Sequence, residues 1–329
     1  MKIKSKTKVS FGIVFILVLS SCGSLFACTS FAVYFDKPFY GMNFDYDPSV
    51  EMKFCIDTIG DLKVFDMRFD LGEFFASTVA MNSNGLFCNL QELYPEVPPE
   101  NPGLNEMRIE ELFFESANTF RSCEDVRNVL SDYGVVMGTI SLHSLYADMK
   151  EAMVVEVGQN NNEIIEMKRN FAVMTNFPVS EFADKNYQEV HGAGDDRYKA
   201  AYTYLLEHEE FDLDDGFALL ERAVSQSEYY PTRCSLVFDP ENTDIYVVLE
   251  GNFDKIWKIS MENETVETFR GFNGYHVMDI GEGLTASQLK ALEHEWAENG
   301  SGMWIYVLAV IVMVGILVGL YKKRSSLLR

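Results

Sequence analysis

The cysteine at position 28 has a sequence context that suits nucleophilic chemistry. Cys28 follows Ala27, the last residue of a leader-like segment, so cleavage between the two would leave Cys28 with a free α-amine. The pKa of such an amine is about 8, well below that of a lysine. The amine could therefore take the proton of the thiol beside it, which places nucleophile and general base on one residue. The alternative is a buried or disulfide-bonded cysteine that happens to lie next to a cleavage site.

The other cysteines give a second reason to single out Cys28. Residues 28–302 contain five cysteines, and the leader-like segment indicates an oxidising compartment. Four of the five could pair as two disulfides, which would leave Cys28 as the free thiol. The four are Cys55, Cys88, Cys123 and Cys234, and the sequence does not assign their pairing.

Four stretches of the sequence resemble the N-terminal-nucleophile cysteine hydrolases, in the order that those enzymes show. The stretches are Cys28–Asp45, Ala80–Leu86, Val173–Pro178 and Thr232–Asp239. The first is similar to the Cys-Thr start, strand hairpin and Gly-Arg-Asn-x-Asp pattern of choloylglycine hydrolases, penicillin V acylases, acid-ceramidase-type amidases and the penicillin-forming acyltransferase. The resemblance implies a four-layer αββα sandwich, in which two antiparallel sheets pack between layers of helices.

The resemblance also implies roles for five residues. Cys28 would be the nucleophile and, through its α-amine, the base. Asp45 would hold the thiol or the amine by a hydrogen bond, and Asn176 would donate its side-chain amide to the oxyanion. Arg197 and Arg233 are two candidates for a family arginine in the site. Alternatively, Asp45 is a turn aspartate, Asn176 is a turn amide, and the two arginines are surface ion-pair partners.

Two positions depart from the hydrolase pattern and bear on the substrate. Met42 stands where the hydrolases carry the Arg of Gly-Arg-Asn, which counts against hydrolysis of the bile-salt type. The acyltransferase branch also lacks that Arg. Gln91-Glu92 stands where bile-salt hydrolases place an asparagine that donates to the oxyanion, so Gln91 or the nearby Asn89 would have to take that role. The resemblance implies an amidase or acyltransferase for a linear, non-peptide N-acyl amide, and the alternative is a catalytically inactive relative that serves as a surface-binding protein.

Composition and motifs argue against several other classes of function. The five histidines are scattered without metal-ligand spacing, and the acidic run 212–215 suits a helix N-cap better than a calcium loop. No dinucleotide fingerprint or G-x-S-x-G elbow occurs. The sequence thus predicts no metal and no cofactor. Residues 28–302 carry 19 basic and 50 acidic side chains, so this body repels phosphate backbones and predicts no nucleic-acid partner.

Strand and helix patterns alternate in blocks along residues 28–284, the predicted catalytic domain. Short apolar runs predict strands at 29–35, 39–44, 52–58, 62–69, 76–81, 86–90, 141–146, 153–157, 164–167, 171–175, 234–238, 245–249, 255–259 and 266–269. Helical spacing of apolar residues predicts helices at 105–120, 123–133, 197–206 and 214–225, and a linker helix at 285–302. Strand blocks that alternate with helix pairs predict the α+β class.

The two ends of the chain predict export and membrane anchoring. Residues 1–27 combine four lysines, a short apolar run and small residues, which is typical of a signal peptide. A lipobox-like segment ending at Cys22 offers lipidation as an alternative. Met303–Leu320 carries no charge, which predicts a transmembrane helix at 303–321 and a cytoplasmic basic tail at 322–329. We therefore expect a single-pass protein of the cell membrane with its catalytic domain outside the cytoplasm. Its expected partner is a small-molecule N-acyl amide. The sequence leaves the oligomeric state open, and a homo-oligomer is one possibility.

Overall fold

Two large antiparallel sheets form the centre of the protein. The structure is a computed structural model and describes residues 28–95, 105–138, 140–158, 162–293 and 296. The first sheet consists of β1 (Thr29–Tyr34), β2 (Pro38–Asp45), β13 (Phe171–Met174), β14 (Thr232–Asp239), β15 (Asp244–Leu249), β16 (Ile256–Ser260), β17 (Thr265–Arg270) and β18 (Val277–Asp279). Its strand order is β13-β1-β2-β14-β15-β16-β17-β18. The strands β1 and β2 therefore lie inside the sheet, with neighbours on both sides.

The second sheet packs face to face against the first. It consists of β3 (Met52–Ile59), β4 (Leu62–Asp70), β5 (Phe75–Asn82), β6 (Phe87–Asn89), β7 (Gln91–Glu92), β10 (Leu142–Ala147), β11 (Ala152–Val157), β12 (Asn162–Glu166) and β19 (Leu284–Thr285). The order is β12-β11-β10-β6-β5-β4-β3-β19, and β7 also pairs with β10. Phe238 of the first sheet lies edge-on to Phe65 and Phe87 of the second, with ring centroids 5.7 and 5.0 Å apart. Such aromatic contacts fill the space between the sheets.

Helix pairs cover the outer faces of both sheets. The helices α1 (Ile109–Thr119) and α2 (Cys123–Asp132) share an apolar core with the second sheet. The helices α3 (Asp195–Glu207) and α4 (Leu213–Arg222) pack on the first sheet. The described residues thus form the layers α, β, β and α, and the predicted α+β class is confirmed. Because both faces of β1 and β2 are covered, these strands are almost continuously buried.

The acidic run 212–215 lies at the N-terminus of α4, where Asp212 caps the helix. The Asp212 side chain accepts the backbone N–H groups of Asp214 at 2.8 Å and Asp215 at 3.1 Å, so it caps the N-terminus of α4. An N-cap of this kind satisfies amide groups that have no partner inside the helix. The predicted N-cap is therefore confirmed.

One predicted helix begins later than expected. Residues 105–108 form β8 (Asn105–Arg108), which pairs in parallel with β9 (Tyr133–Val136), and α1 begins only at Ile109. The apolar helical spacing also starts at Ile109, so the polar residues before it were free to join a strand. The partner strand lies beyond the end of α2, where local periodicity carries no information about it.

The last described helix packs on the domain. It follows β19 and spans residues 286–293. Ala286 and Leu289 are buried in the core, and Glu293 receives hydrogen bonds from Lys255 at 2.9 Å and from the Trp257 indole at 3.3 Å. Among the residues that the structure describes, no helix combines the length and apolarity needed to cross a membrane. The predicted signal peptide 1–27, the transmembrane helix 303–321 and the tail 322–329 lie outside those residues and stay predictions.

The predicted disulfides are wrong. All five cysteines of the described ranges are buried free thiols. Cys55, Cys88 and Cys234 lie on different strands, and in sheet register each faces a residue other than cysteine. Cys123 begins α2, where its backbone N–H donates to Asp148. Burial raises the thiol pKa of each of these four residues, so they behave as small apolar side chains of the core.

Candidate active site

Strand register brings Cys28 and Asn176 to the same end of the first sheet. Cys28 immediately precedes β1 and is buried. In the antiparallel pair of β1 and β13, Ser30 lies opposite Met174. Cys28 precedes β1 by one residue and Asn176 follows β13 by two, so the antiparallel pairing places both at this end of the sheet. The two predicted catalytic residues are 148 positions apart in the sequence, and pairing of two short strands makes them neighbours.

Side chains that alternate along β1 divide the site between the two faces of the sheet. Thr29 faces the helices, because its hydroxyl accepts a hydrogen bond from Arg197 of α3 at 3.2 Å. Ser30 faces the second sheet, where its hydroxyl accepts a bond from Asn89 at 2.6 Å. Since alternate residues of a strand point to opposite faces, Cys28 shares the face of Ser30. The thiol therefore points toward the space between the sheets.

Asp45 lies at the end of β2 with two donors to its carboxylate. Arg197 Nη1 donates to Oδ2 at 2.9 Å, and the Thr232 hydroxyl donates to Oδ1 at 2.5 Å. The carboxylate is fully buried. Burial raises the pKa of Asp45 to about 7, against the lowering effect of the Arg197 charge and the Thr232 hydrogen bond. A group with this pKa changes its protonation near neutral pH, as groups of active sites often do.

The thiol of Cys28 needs a base before it can act as a nucleophile. Burial raises its pKa far above the ordinary value, and the negative charges of Asp45 and Glu92 add to that rise. A backbone hydrogen bond from Asp45 and the charge of Arg197 act in the opposite direction without cancelling it. Because the thiolate is the reactive form of cysteine, the thiol must lose its proton to a group close by.

Asn176 is held so that one of its side-chain N–H bonds stays available. Its side-chain Nδ2 donates to the backbone carbonyl of Glu92 at 2.8 Å, and its backbone carbonyl accepts the backbone N–H of Tyr94 at 2.8 Å. A primary amide carries two N–H donors. With one directed at Glu92, the other remains available to a further acceptor, which is what an oxyanion donor requires.

The two predicted arginines have different surroundings. Arg197 bonds Asp45 and Thr29, next to Cys28, as described above. Arg233 instead donates from Nη1 to the carbonyls of Asp47 at 2.6 Å and Val50 at 3.2 Å, so it anchors the loop that follows β2. Only Arg197 is therefore brought into contact with the Asp45 carboxylate, and a catalytic role for Arg233 stays a prediction.

The departures from the hydrolase pattern lie between the sheets. Met42 is fully buried there, with its sulfur 3.6 Å from Nδ2 of Asn89. Asn89 and Gln91 both donate to the hydroxyl of Ser30. The two amides thus hold β1 two residues from Cys28, and a role of either as a substitute oxyanion donor stays a prediction. With Met42 in place of an arginine, this part of the site carries no positive charge.

Three residues of the site were not singled out from the sequence. Thr29 and Thr232 bond the Arg197–Asp45 pair, and Glu92 holds Asn176 through its backbone. Both threonines lie within the family-like stretches, so their side chains could have been found by asking which neighbours of Cys28 and Asp45 share a sheet face. Nothing in the local sequence of Glu92 indicates its role.

Aromatic side chains cluster around Tyr46, which directly follows β2 and Asp45. The Tyr46 ring lies 5.2 Å from Phe44 and 4.9 Å from Phe69, at the end of β4. The hairpin that follows exposes Leu71 by 48% and Phe74 by 60%. Exposed large apolar residues that lie close together are typical of a surface that receives an apolar ligand.

Comparison with known proteins agrees with this geometry. Residues 35–254, about two thirds of the chain, match the family of acyl-coenzyme A:6-aminopenicillanic acid acyl-transferase. The chain belongs to this family. The predicted membership in the N-terminal-nucleophile cysteine hydrolase superfamily is thereby confirmed. No curated protein sequence matches the chain.

Two solved structures show the fold of this family member. A variant of conjugated bile acid hydrolase from Clostridium perfringens is 16% identical, with a TM-score of 0.56 over 78% of this chain and 98% of that one. Penicillin V acylase from Agrobacterium tumefaciens is 15% identical, with a TM-score of 0.55 over 74% of this chain and 91% of that one. At such low identity the similarity concerns the fold. The family match begins at residue 35, so the assignment of Cys28 depends on the geometry described above.

Proposed function

We propose that the protein is an N-terminal-nucleophile cysteine amidohydrolase or acyltransferase that acts on linear, non-peptide N-acyl amides through a thioester on Cys28. The observation that carries the proposal is the meeting of three groups at one end of the sandwich. Cys28 supplies the thiol at the start of β1, Asn176 follows the antiparallel neighbour β13 at the same end of the sheet, and the Asp45–Arg197 pair lies at the adjoining strand end. These are a nucleophile, an oxyanion donor and a charged group able to hold an amine.

The first step uses the α-amine that cleavage after Ala27 would expose. The neutral amine takes the proton of the Cys28 thiol, and the thiolate attacks the carbonyl carbon of the substrate amide. The carbonyl oxygen becomes an oxyanion and accepts the second N–H of Asn176. Removal of one such donor typically costs about 3 kcal/mol of transition-state stabilisation. The ionised Asp45 carboxylate favours the ammonium form that this step creates.

The second step breaks the amide. The tetrahedral intermediate collapses, the C–N bond breaks, and the α-ammonium of Cys28 returns its proton to the leaving amine. The acyl group remains on sulfur as a thioester. Attack on the thioester by water gives a carboxylic acid and the free thiol, whereas attack by an acceptor amine gives a new amide. The same residues therefore serve a hydrolase and an acyltransferase.

The surroundings of Cys28 favour a neutral, apolar acyl group. Tyr46, next to Asp45, stacks with Phe69, the hairpin after Phe69 exposes Leu71 and Phe74, and Met42 provides no charge for an anionic group. Residues 28–302 have a large excess of acidic side chains, which repels anionic substrates at long range. We therefore propose N-acyl amides with an uncharged hydrocarbon acyl group as the substrate class.

The location of the enzyme is a further part of the proposal. The lysines and apolar run of residues 1–27 and the uncharged Met303–Leu320 support export and a C-terminal membrane anchor. A chain truncated after Gly302 should then be released into the medium as an active protein. Sequencing of its N-terminus distinguishes cleavage before Cys28 from lipidation at Cys22.

The decisive experiment removes the base and leaves the thiol in place. One glycine is inserted between Ala27 and Cys28 in a form that is not cleaved off, so that an amide nitrogen replaces the basic amine. Activity is measured on N-acyl-7-amino-4-methylcoumarins of graded acyl length. The processed protein should hydrolyse them, while the extended protein and Cys28→Ser should lose activity by orders of magnitude. Cys55→Ser, at another buried cysteine, is the matched control and should remain active.

Two outcomes contradict the proposal. Equal activity of the extended and processed proteins would exclude the α-amine as base. A processed protein with a verified N-terminal Cys28 that neither turns over an amide nor acquires an acyl group, detected by mass spectrometry, would instead support an inactive relative that binds ligands.

A further inference from the structure

Three polar side chains form a row across neighbouring strands of the second sheet. Gln91 of β7 lies opposite His143 of β10. The register of β10 and β11 pairs Ser144 with Val155, so His143 lies opposite Glu156 one step further along. Exposure of the three side chains is 1%, 0% and 2% for Gln91, His143 and Glu156. The Gln91 amide bonds Ser30, so this end of the row lies between the sheets near Cys28.

Glu156 is the most heavily bonded member of the row. Its Oε1 accepts the backbone N–H of Val179 at 2.6 Å and lies 3.2 Å from Nδ1 of His143. Its Oε2 accepts the hydroxyl of Ser180 at 2.6 Å and the Ser180 backbone N–H at 3.2 Å. Burial raises the pKa of Glu156, but the bonds from His143, Ser180 and Val179 prevail and lower it below the ordinary value. The carboxylate is therefore ionised at neutral pH.

The segment bonded by Glu156 is the continuation of the Asn176 turn. Val179 begins a short 3₁₀ helix, Val179–Phe182, three residues after Asn176. Phe177 between them is buried, with its ring 5.4 Å from Phe182 and 5.0 Å from Tyr198. The next residue is a proline, which fixes its own φ angle. If Val179 moves, Asn176 should therefore move with it.

Asn176 is thus anchored from two strands of the second sheet. On one side its own backbone and side chain bond Tyr94 and Glu92, as described for the site. On the other side the turn that follows it is bonded by Glu156 of β11. We infer that Glu156, oriented by His143, is a positioning residue that holds the Asn176 amide in place to receive the oxyanion. The inference deepens the proposed function and rests on it.

The cost of losing this anchor follows from the geometry of an oxyanion donor. The donor must lie about 2.7–3.1 Å from the oxyanion, and a misplacement of about 1 Å can cost on the order of 100-fold in rate. Glu156→Gln keeps the size of the side chain, but its NH₂ group cannot accept the N–H groups of Val179 or Ser180. Since the oxyanion bond forms only in the transition state, kcat should fall by roughly 10- to 100-fold while KM stays nearly constant.

The experiment compares Glu156→Gln with a matched control in the turn between β10 and β11. Asp148 is also a buried carboxylate that accepts three backbone N–H groups, those of Cys123 at 2.8 Å, Lys150 at 2.8 Å and Glu151 at 3.1 Å. It bonds no part of the Asn176 turn. Asp148→Asn should therefore lower stability but leave kcat within about threefold of the wild-type value on an N-acyl-aminocoumarin.

A double-mutant cycle separates positioning from general damage. If Glu156 acts through Asn176, Glu156→Gln should cause no further loss of kcat in a chain that already carries Asn176→Ala. Losses that multiply in the double mutant would overturn the inference, and so would an equal loss of kcat in Asp148→Asn. Ser180→Ala removes a single bond without changing charge, so it tests the same point, with a smaller loss of about 2- to 10-fold, if Glu156→Gln does not fold.

A second readout does not depend on turnover. The Asn176 side-chain NH₂ signals in an ¹⁵N–¹H NMR spectrum are identified by their absence in Asn176→Ala. Glu156→Gln and Ser180→Ala should shift these signals, and Asp148→Asn should not. If the signals are unshifted in both Glu156→Gln and Ser180→Ala, the positioning role is refuted. If the signals shift but no amide is hydrolysed by the wild-type chain, the positioning holds and the proposed function fails.

Discussion

Removal of Arg197 should destabilise the protein in a way that grows with pH. Arg197 and Asp45 form a buried ion pair with an N–O distance of 2.9 Å, and their side chains are 6% and 0% exposed. Arg197→Met fills a similar space with an uncharged side chain and leaves the Asp45 carboxylate with the Thr232 hydroxyl. Where Asp45 is ionised, loss of Arg197 leaves a buried charge uncompensated, which typically costs up to about 3–5 kcal/mol.

The pH dependence follows from the pKa of Asp45. In the wild-type protein this pKa is raised from 3.8 to about 7, so the native state keeps a proton that the unfolded chain loses. The resulting stability is complete below the unfolded pKa, falls as the pH rises, and levels off above the folded pKa of about 7. Arg197 is the strongest influence that lowers this pKa, so Arg197→Met raises it further.

The difference in free energy of unfolding between wild type and Arg197→Met should therefore increase above neutral pH. Below pH 7 Asp45 is protonated in both folded proteins, and their stabilities fall in parallel. Above pH 7 the wild-type curve is level, while the variant loses about 1.4 kcal/mol more for each pH unit until its own pKa is reached. The extra loss should grow by about 1.4 kcal/mol per pH unit above pH 7 and level off once the pH passes the raised pKa of the variant.

Urea unfolding at pH 5 to 9 measures these differences. Asp45→Asn is the matched control, since it removes the titrating group and keeps the shape. In that background Arg197→Met should cost the same at every pH. A difference between wild type and Arg197→Met that does not change between pH 5 and pH 9 would refute the reasoning, as would a pH-dependent difference that persists with Asp45→Asn.

Three further results are expected. Asn176→Ala should lower kcat by roughly 100-fold or more in steady-state assays, because its second N–H is used mainly in the transition state, and should lower the free energy of unfolding by about 1–3 kcal/mol, because the Glu92 carbonyl loses its donor. Arg233→Ala should lower the free energy of unfolding by about 1–3 kcal/mol, since the carbonyls of Asp47 and Val50 lose their donor, and an unchanged urea midpoint would contradict the anchoring of this loop. Thiol titration of the denatured, unreduced chain 28–302 should find five free thiols; a count of one would restore the disulfides that the structure excludes.

Much of the fold could be predicted from local sequence patterns. Apolar residues with a period of two or of 3.6 mark the strands and helices, because backbone geometry sets these periods over a few residues. The strand Met52–Ile59 and the helix Cys123–Asp132 were predicted to within one residue at each end. The exception at Asn105–Arg108 became a strand because Tyr133–Val136, a distant segment, lies beside it.

The residues of the candidate site were only partly predictable. Cys28 stands out through its position after a leader and its place in a family-like stretch, both of which are properties of the sequence. The role of Glu156 could not be predicted in this way. Its partners Val179 and Ser180 lie more than twenty positions away, and no local pattern joins them.

The sequence by itself determined the order and type of most elements and the residue types available for catalysis. Tertiary structure decided which of them meet. Asp45 finds Arg197 and Thr232, 152 and 187 positions away, through the packing of α3 and the register of β14 with β2. The tertiary structure also leaves the buried cysteines unpaired. The physical reason is that periodicity is a local property of the backbone, whereas register and packing depend on the whole chain, and a shift of one residue in register would turn each side chain to the other face of its sheet.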